Sequence, residues 1–147
     1  MKFLLITLIS SLLTTNTPVW LTDFNKAKTE AATSEKYILI NFSGSDWCGP
    51  CIRLHKEIFD SETFMSYAQK NLVLVNADFP RLRKNQLSRE QQKLNNALAD
   101  QYNPQGHFPY TVLVDVKGKV IKTWDGYPNE TPDKFLSDIN AVTSAVH

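Results

Sequence analysis

The sequence is poor in reactive side chains, with two cysteines and three histidines in 147 residues. Both cysteines fall in one short stretch, Cys48 to Cys51, and no third cysteine can bridge to either. A framework of structural disulfides is therefore excluded. Charge of one sign is also lacking. Sixteen Lys and Arg stand against fifteen Asp and Glu, for a net charge of +1, so nothing global points to nucleic acid or an anionic membrane surface as a partner. No apolar run reaches the roughly 20 residues that a membrane-spanning helix needs. Phe3 to Leu13 comes nearest and is interrupted by Thr7, Ser10 and Ser11. There is no internal repeat and no low-complexity tract. The length suits one domain able to bury a real core.

What is present begins with the N-terminus. Lys2, the short apolar run and the small polar residues Thr14 to Thr17 read as a secretory signal over residues 1–17. The mature domain would then occupy 18–147, exported to a periplasm or beyond the cell. No A-x-A triplet marks a cleavage point, so an uncleaved tether is the alternative. The segment has no cysteine, which excludes a lipid-modified cysteine anchor. Exported proteins commonly carry structural disulfides, but a C-x-x-C loop is too small to staple a fold. The value of Cys48 and Cys51 must lie in chemistry or metal binding.

Along the chain, Thr22 can cap a first helix with Phe24, Ala27 and Ala31 on one face. Tyr37 to Ser43 and Leu72 to Asp78 are short, nearly continuous apolar runs, the pattern of strands buried on both faces. From Gly49 the pattern turns helical, with Ile52, His55, Ile58 and Phe59 at three- and four-residue steps. Asp60-Ser61-Glu62 marks a new cap, followed by Phe64, Tyr67 and Ala68. Phe79 to Leu87 is a basic loop. Ser88 and Gln91 have the form of a capping box for a helix to about Tyr102, with Leu94, Leu98 and Ala97 or Gln101 inward. Tyr110 to Val116 and Lys119 to Trp124, joined by Lys117-Gly118, read as an antiparallel hairpin. Thr131-Pro132 opens a last helix that buries Phe135, Ile139 and Val142. The order is helix, strand, helix, strand, helix, strand, strand, helix. It predicts an α/β domain with a mixed sheet, an antiparallel edge hairpin and helices on both faces.

The spacing of the cysteines has a chemical reading. A thiolate, not a thiol, attacks a disulfide. Cys48 sits where a loop meets a helix N-terminus, where free backbone N–H groups and the helix dipole favour negative charge. Cys51 lies one turn in, on the same side, and can close a disulfide with Cys48 once Cys48 has captured a partner. Pro50 fits a first helical turn, and Trp47 offers an apolar flank. The same residues have a metal reading: Cys48, Cys51 and His55 form C-x2-C-x3-H, with His107 a further ligand, though the second ligand pair of a structural zinc site is missing. Trp20 and Trp124 read as packing residues. Arg81, Arg83, Lys84, Arg89 and Lys93 read as a solvated basic face, with docking of an acidic partner as the sharper alternative.

Trp47-Cys48-Gly49-Pro50-Cys51, between a buried strand and a helix, resembles the active-site signature of the thioredoxin family. The resemblance runs from about Tyr37 to the last helix and implies a thioredoxin fold. It also implies thiol–disulfide exchange by Cys48 and Cys51, with no cofactor beyond the pair itself. Trp47, Gly49 and Pro50 become supporting residues. Phe108-Pro109 resembles the family's cis-proline, which faces the cysteines and presents backbone to substrate, and Gly126 also fits. The partners implied are disulfide-containing clients and an electron donor, a membrane reductase if the protein is exported. The insert Gly49-Pro50 is that of a reductant. The extra residue before Trp47 and the segment Phe59 to Ser61 look more like exported bacterial reductases than the small cytosolic form. Departures bear on substrate and direction rather than on fold. Asn41 stands where the family keeps a buried aspartate, Leu74 stands for a nearby lysine, and Phe108 precedes the proline. Asn41 cannot accept a proton, so another group or water must serve Cys51. Asp46 is near in sequence, though expected to be exposed. Rival readings are a metal-binding module or metallochaperone using Cys48, Cys51 and a histidine, a disulfide oxidase or isomerase, and a non-catalytic binding module.

Overall fold

Helices in this chain open on short polar side chains that take up the backbone N–H groups left free in the first turn. In the computed structural model, which describes residues 17–146, α1 (Phe24–Ser34) is capped by Asp23, whose carboxylate accepts from the N–H groups of Asn25 and Lys26. Thr22, the expected cap, instead lends its carbonyl to the Gln91 side chain. Ser61 caps α3 (Glu62–Asn71), Ser88 caps α4 (Arg89–Tyr102) and Thr131 caps α5 (Pro132–Thr143). The box at Ser88 is half made: its hydroxyl accepts from the Gln91 N–H, while the Gln91 side chain turns to Thr22 and Asn95. The expected signal segment, Thr17 excepted, lies outside the described residues.

Five strands form one sheet in the order β1-β3-β2-β4-β5. These are β1 (Trp20–Leu21), β2 (Tyr37–Ser43), β3 (Leu72–Asp78), β4 (Tyr110–Val114) and β5 (Val120–Asp125). β2 and β3 are parallel, as the helical crossover between them requires. β4 and β5 complete the sheet antiparallel. The architecture is the α/β thioredoxin fold. β1 was not foreseen: it is two residues long and pairs parallel with Leu74 and Val75, too short for any periodicity to announce it. β4 stops at Val114 rather than Val116, because the Asp115 carboxylate gathers the N–H groups of Lys117 and Lys119 into a turn.

Alternation along the buried strands sorts their side chains to two cores. Leu39, Leu74 and Leu113 face one side, packed by Leu54, Ile58, Phe59, Phe64 and Phe135. Ile38, Ile40, Phe42, Val73 and Val112 face the other, packed by α1 and α4. The buried stripe of α4 is Asn95, Leu98 and Tyr102, while Leu94 is exposed. Asn95 is the polar member because its side chain donates to the carbonyl of Asp78, the last residue of β3. The helix after the cysteines is α2 (Gly49–Leu54), which widens into a π-helical turn over His55–Phe59. The N–H of Asp60 reaches back five residues to the His55 carbonyl at 2.8 Å. Ile52, expected on the apolar face, is 50% exposed beside the cysteines.

Candidate active site

The loop from Gly44 to Trp47 carries the chain from the end of β2 to the head of α2. The Gly44 carbonyl accepts from the N–H groups of both Trp47 and Cys48, at 3.2 and 2.9 Å. A side chain at Gly44 has no room: a Cβ there would lie 2.3 Å from Trp47 Cε2. The loop is tied from beneath by Asp78, whose carboxylate accepts from the backbone N–H and hydroxyl of Ser45.

Cys48 is the N-cap of α2, and its Sγ accepts from the Cys51 N–H at 3.3 Å. The two cysteines are joined as a disulfide, with their Cα atoms 5.2 Å apart. Cys48 keeps 4% exposure and Cys51 1%, so the outer sulfur is the one a partner can approach. Gly49 and Pro50 are exposed, with Pro50 in the first helical turn as expected. The N–H of Gly44 points at Cys51 Sγ from 3.5 Å. The arrangement provides backbone donors to both sulfurs and can hold negative charge on either.

Trp47 flanks the pair and is fixed on three sides. Its indole N–H donates to the Phe79 carbonyl at 2.8 Å, Phe108 meets it edge-on with centroids 5.5 Å apart, and the Arg81 guanidinium lies 3.6 Å from its ring centroid. Arg81 thus joins the basic loop, whose basic side chains stay solvent-exposed as expected, to the rim of the site. Asp46 makes it so: its carboxylate accepts from the N–H groups of Arg81 and Leu82 and from the Asn85 side chain, at 2.9 to 3.0 Å. The Arg81 N–H first, then the Asn85 amide, hold the Asp46 carboxyl below the ordinary range. Asp46, expected to be exposed, is partly buried and committed to this loop. Arg83, Lys84, Arg89 and Lys93 remain exposed.

The Phe108–Pro109 peptide bond is cis. Asn103, 4% exposed, fixes the residue before it from both sides, donating to the His107 carbonyl and accepting from the His107 N–H. His107 turns its ring to Asp125, with Nδ1 2.9 Å from the carboxylate. It does not converge on the cysteines. Among the described residues no group of three or more His, Cys, Asp or Glu side chains gathers as metal ligands.

Around Asn41, which stands where the family keeps a buried aspartate, the structure assembles a polar row whose other members the sequence did not disclose. Asn41 is fully buried on β2; Thr111 of β4 and Asn76 of β3 stand beside it in register. The Asn41 amide donates to Thr111 Oγ1 at 3.1 Å, and its Oδ1 faces His55 Nε2 at 3.2 Å. The neighbour of Asn41 across the parallel pair is therefore Asn76. Leu74, two residues from Asn76 on the same face of β3, lies opposite Leu39 in the apolar core. Asn76 Oδ1 is buried and finds no hydrogen-bond partner among the described residues. His55 is wedged between Trp20 and Phe59, at centroid distances of 5.4 and 5.1 Å. Burial pulls its pKa below the ordinary imidazole value, against the opposing pull of the Asp60 and Asp78 carboxylates. Its spacing of four residues from Cys51 was the available clue, since such pairs share a helix face.

Comparison with known proteins agrees with this geometry. A model of the family described as thioredoxin-like matches residues 19–115. The disulfide bond reductase DsbH of Chlamydia pneumoniae is 36% identical over 98 residues, which are 67% of this chain and 57% of that protein. The thioredoxin-related protein DsbJ of the same organism is 30% identical over 113 residues, 77% of this chain and 32% of that protein. The chain thus spans well under two thirds of the length of either relative. Among solved structures, a DsbH oxidoreductase superposes with a TM-score of 0.77 at 29% identity, covering 86% of this chain and 85% of the other. A thioredoxin from Thermus thermophilus superposes at 0.63 with 14% identity, covering 87% and 88%, a likeness of fold alone. The match over residues 19–115, the sheet order and the cysteine pair at the head of α2 together establish that the chain belongs to the thioredoxin-like family.

Proposed function

We propose that this chain is an exported thiol–disulfide oxidoreductase that reduces client disulfides through a Cys48/Cys51 dithiol cycle. The observation that carries the reading is the closed Cys48–Cys51 bond at a helix head, with Cys48 the more exposed sulfur and the Cys51 N–H directed at it. Reduced Cys48, as a thiolate supported by that donor, attacks an accessible disulfide of a client. A Cys48–client bond forms and one client sulfur leaves. Cys51 then attacks Cys48, the internal disulfide forms, and the second client sulfur is released. Trp47, Gly49, Pro50, Phe108 and Pro109 shape the approach. An extended client segment would lie along the rim made by Trp47 and Phe108.

The reducing direction is supported by the Gly49-Pro50 insert and by the name of the DsbH relative, a disulfide bond reductase. Repeated turnover requires an electron donor that reopens Cys48–Cys51. For an exported enzyme that donor is a membrane reductase, and the export reading rests on residues 1–17. Insulin reduction tests the cycle. Cys48→Ser abolishes it, and Cys51→Ser accumulates mixed disulfides with clients. Normal turnover by the Cys48 variant would refute the scheme. The potential of the pair decides direction: a value near the thioredoxin end, about −270 mV, supports a reductase, and one near −120 mV an oxidase.

A further inference from the structure

Resolution of the mixed disulfide poses a chemical demand that the cysteines do not meet alone. Cys51 waits as a thiol and must lose its proton before its sulfur can attack Cys48. It is 1% exposed, so bulk water is a poor acceptor. Of the side chains in the polar row around Asn41, Asn41 itself, Thr111 and Asn76 do not titrate near neutrality, whereas the histidine bonded to that row does.

We propose that His55 is the proton acceptor for the Cys51 thiol. The proposal rests on the dithiol cycle above and adds to it the group that makes the second step possible at neutral pH. His55 follows Cys51 by four residues on one helical run, and its backbone N–H donates to the Cys51 carbonyl. Side chains at this spacing lie one above the other, and helical side chains lean toward the N-terminus. The ring of His55 is thereby carried up the turn toward Cys51.

The hydrogen bonds of the row also select the tautomer. The Asn41 amide nitrogen is spent on Thr111, so Asn41 presents its oxygen to His55 Nε2. In this arrangement Nε2 donates to the Asn41 oxygen, and the Nδ1 lone pair is left to act as a base. Trp20 and Phe59 wall the ring and favour its neutral, proton-accepting form. The facing charges do not displace it. The Asp78 carboxylate is engaged by Ser45 and by the Phe79 N–H, and Asp60 is exposed. Asn76 Oδ1, unpartnered among the described residues, supplies a further acceptor in the compartment that gains a positive imidazolium.

Atoms and electrons balance. The starting state is Cys48 thiolate, Cys51 thiol, neutral His55 and a client disulfide. The Cys51 proton moves to His55, the Cys48–Cys51 bond forms, and the client leaves as two thiolates carrying the two electrons. His55 then returns its proton to a client thiolate or to solvent.

The test is the reaction of fully reduced protein with Ellman's reagent, followed by stopped flow. The first aryl thiolate released reports attack by Cys48; the second, independent of reagent concentration, reports attack by Cys51. In the wild type the second phase rises with pH and levels off above an inflection below about 6.5. In His55→Gln, which keeps a polar side chain for Asn41 but no base, the second phase falls about 10- to 100-fold at pH 7 and climbs roughly tenfold per pH unit through pH 8. The first phase stays within about twofold. A variant whose second phase matches the wild type overturns the proposal, as does a wild-type profile still climbing through pH 8. That wild-type profile decides the matter even if His55→Gln does not fold. Failure of the wild type to release a second aryl thiolate would overturn the dithiol cycle and this proposal with it.

Discussion

Replacing Gly44 with alanine isolates what holds the rim of the site. Gly44 does not occupy the left-handed backbone region; the demand on it is space. The added methyl would stand 2.3 Å from Cε2 and 2.5 Å from Cζ2 of Trp47, where relaxed carbon contacts lie near 3.5 Å. The indole must retreat by roughly 1 Å. It cannot do so freely, because its N–H is bonded to Phe79, Arg81 is stacked on it and Phe108 meets its edge. Overpacking costs about 1–3 kcal/mol, the hydrogen bond to Phe79 about 1 kcal/mol and the cation–π contact about 0.5–1 kcal/mol. A total near 3 kcal/mol lowers the melting temperature of a domain this size by about 10 °C. The displaced ring also leaves the flank of Cys48, and insulin reduction falls roughly tenfold, since misplacement by 1 Å at a reacting centre is expensive. Calorimetry of the oxidised protein and steady-state turnover measure the two effects. Gly49→Ala is the internal control, because a Cβ there meets nothing within 4 Å, and its melting temperature holds or rises slightly. A Gly44→Ala protein melting within about 2 °C of wild type would show that the loop yields easily and that Trp47 is not locked as described.

Two further substitutions probe the supports of the rim. Asn103→Ala removes both side-chain hydrogen bonds to His107 from a position 4% exposed; the loss is about 2–3 kcal/mol, read as a melting shift of about 6–12 °C. Asp46→Ala frees the backbone at Arg81 and Leu82, so trypsin cuts after Arg81 and Arg83 roughly tenfold faster at neutral pH while the core stays folded. The wild-type loop shows the same release in acid. The Asp46 carboxyl has a lowered pKa in the folded state, so its contribution is complete above the unfolded value near 3.9 and is lost as pH falls through the lower folded value. Acid-stable protease cleavage of the 79–86 segment should therefore set in below about pH 4 in the wild type, and Asp46→Ala should be cleaved at any pH.

The parts of the molecule that could be read in advance are those governed by local or periodic rules. Tyr37–Ser43 and Leu72–Asp78 are apolar enough to be strands and little else, and their bounds agree with the structure. Ser61, Ser88 and Thr131 announce helices because an N-cap acts within its own turn. Cys48-Gly49-Pro50-Cys51 carries its spacing in the motif. The parts that could not be read depend on tertiary placement. β1 exists only because β3 offers an edge to two residues. Ile52 departs from the apolar face of its helix, and Leu94 from that of α4, because burial there is set by what packs above the helix rather than by its period. Asn76 went unread through register: sheet neighbours follow pairing between strands, which puts Asn76 directly beside Asn41 and Leu74 one step down the same face.

The same register explains why one helix can serve two sulfurs with opposite needs. Cys48 must be ionised and reachable, so it stands at the helix head among backbone donors, and its surroundings come from loops: Trp47, Phe108, and the segment that Asp46 pins. Cys51 must stay protonated until its moment and then give up a proton without solvent, so it needs a polar compartment inside an otherwise apolar core. A strand contributes only every second residue to a given face. Asn41, Asn76 and Thr111 therefore reach one face together only because three strands are in register, while Leu39, Leu74 and Leu113, two residues away on each, stay apolar. With an amide rather than a carboxylate at Asn41, the row can orient a base but cannot be one. In the proposed cycle the proton-accepting role then passes to His55, which among the described residues is the titratable side chain bonded to the row, and His55 belongs to the helical run that carries the cysteines.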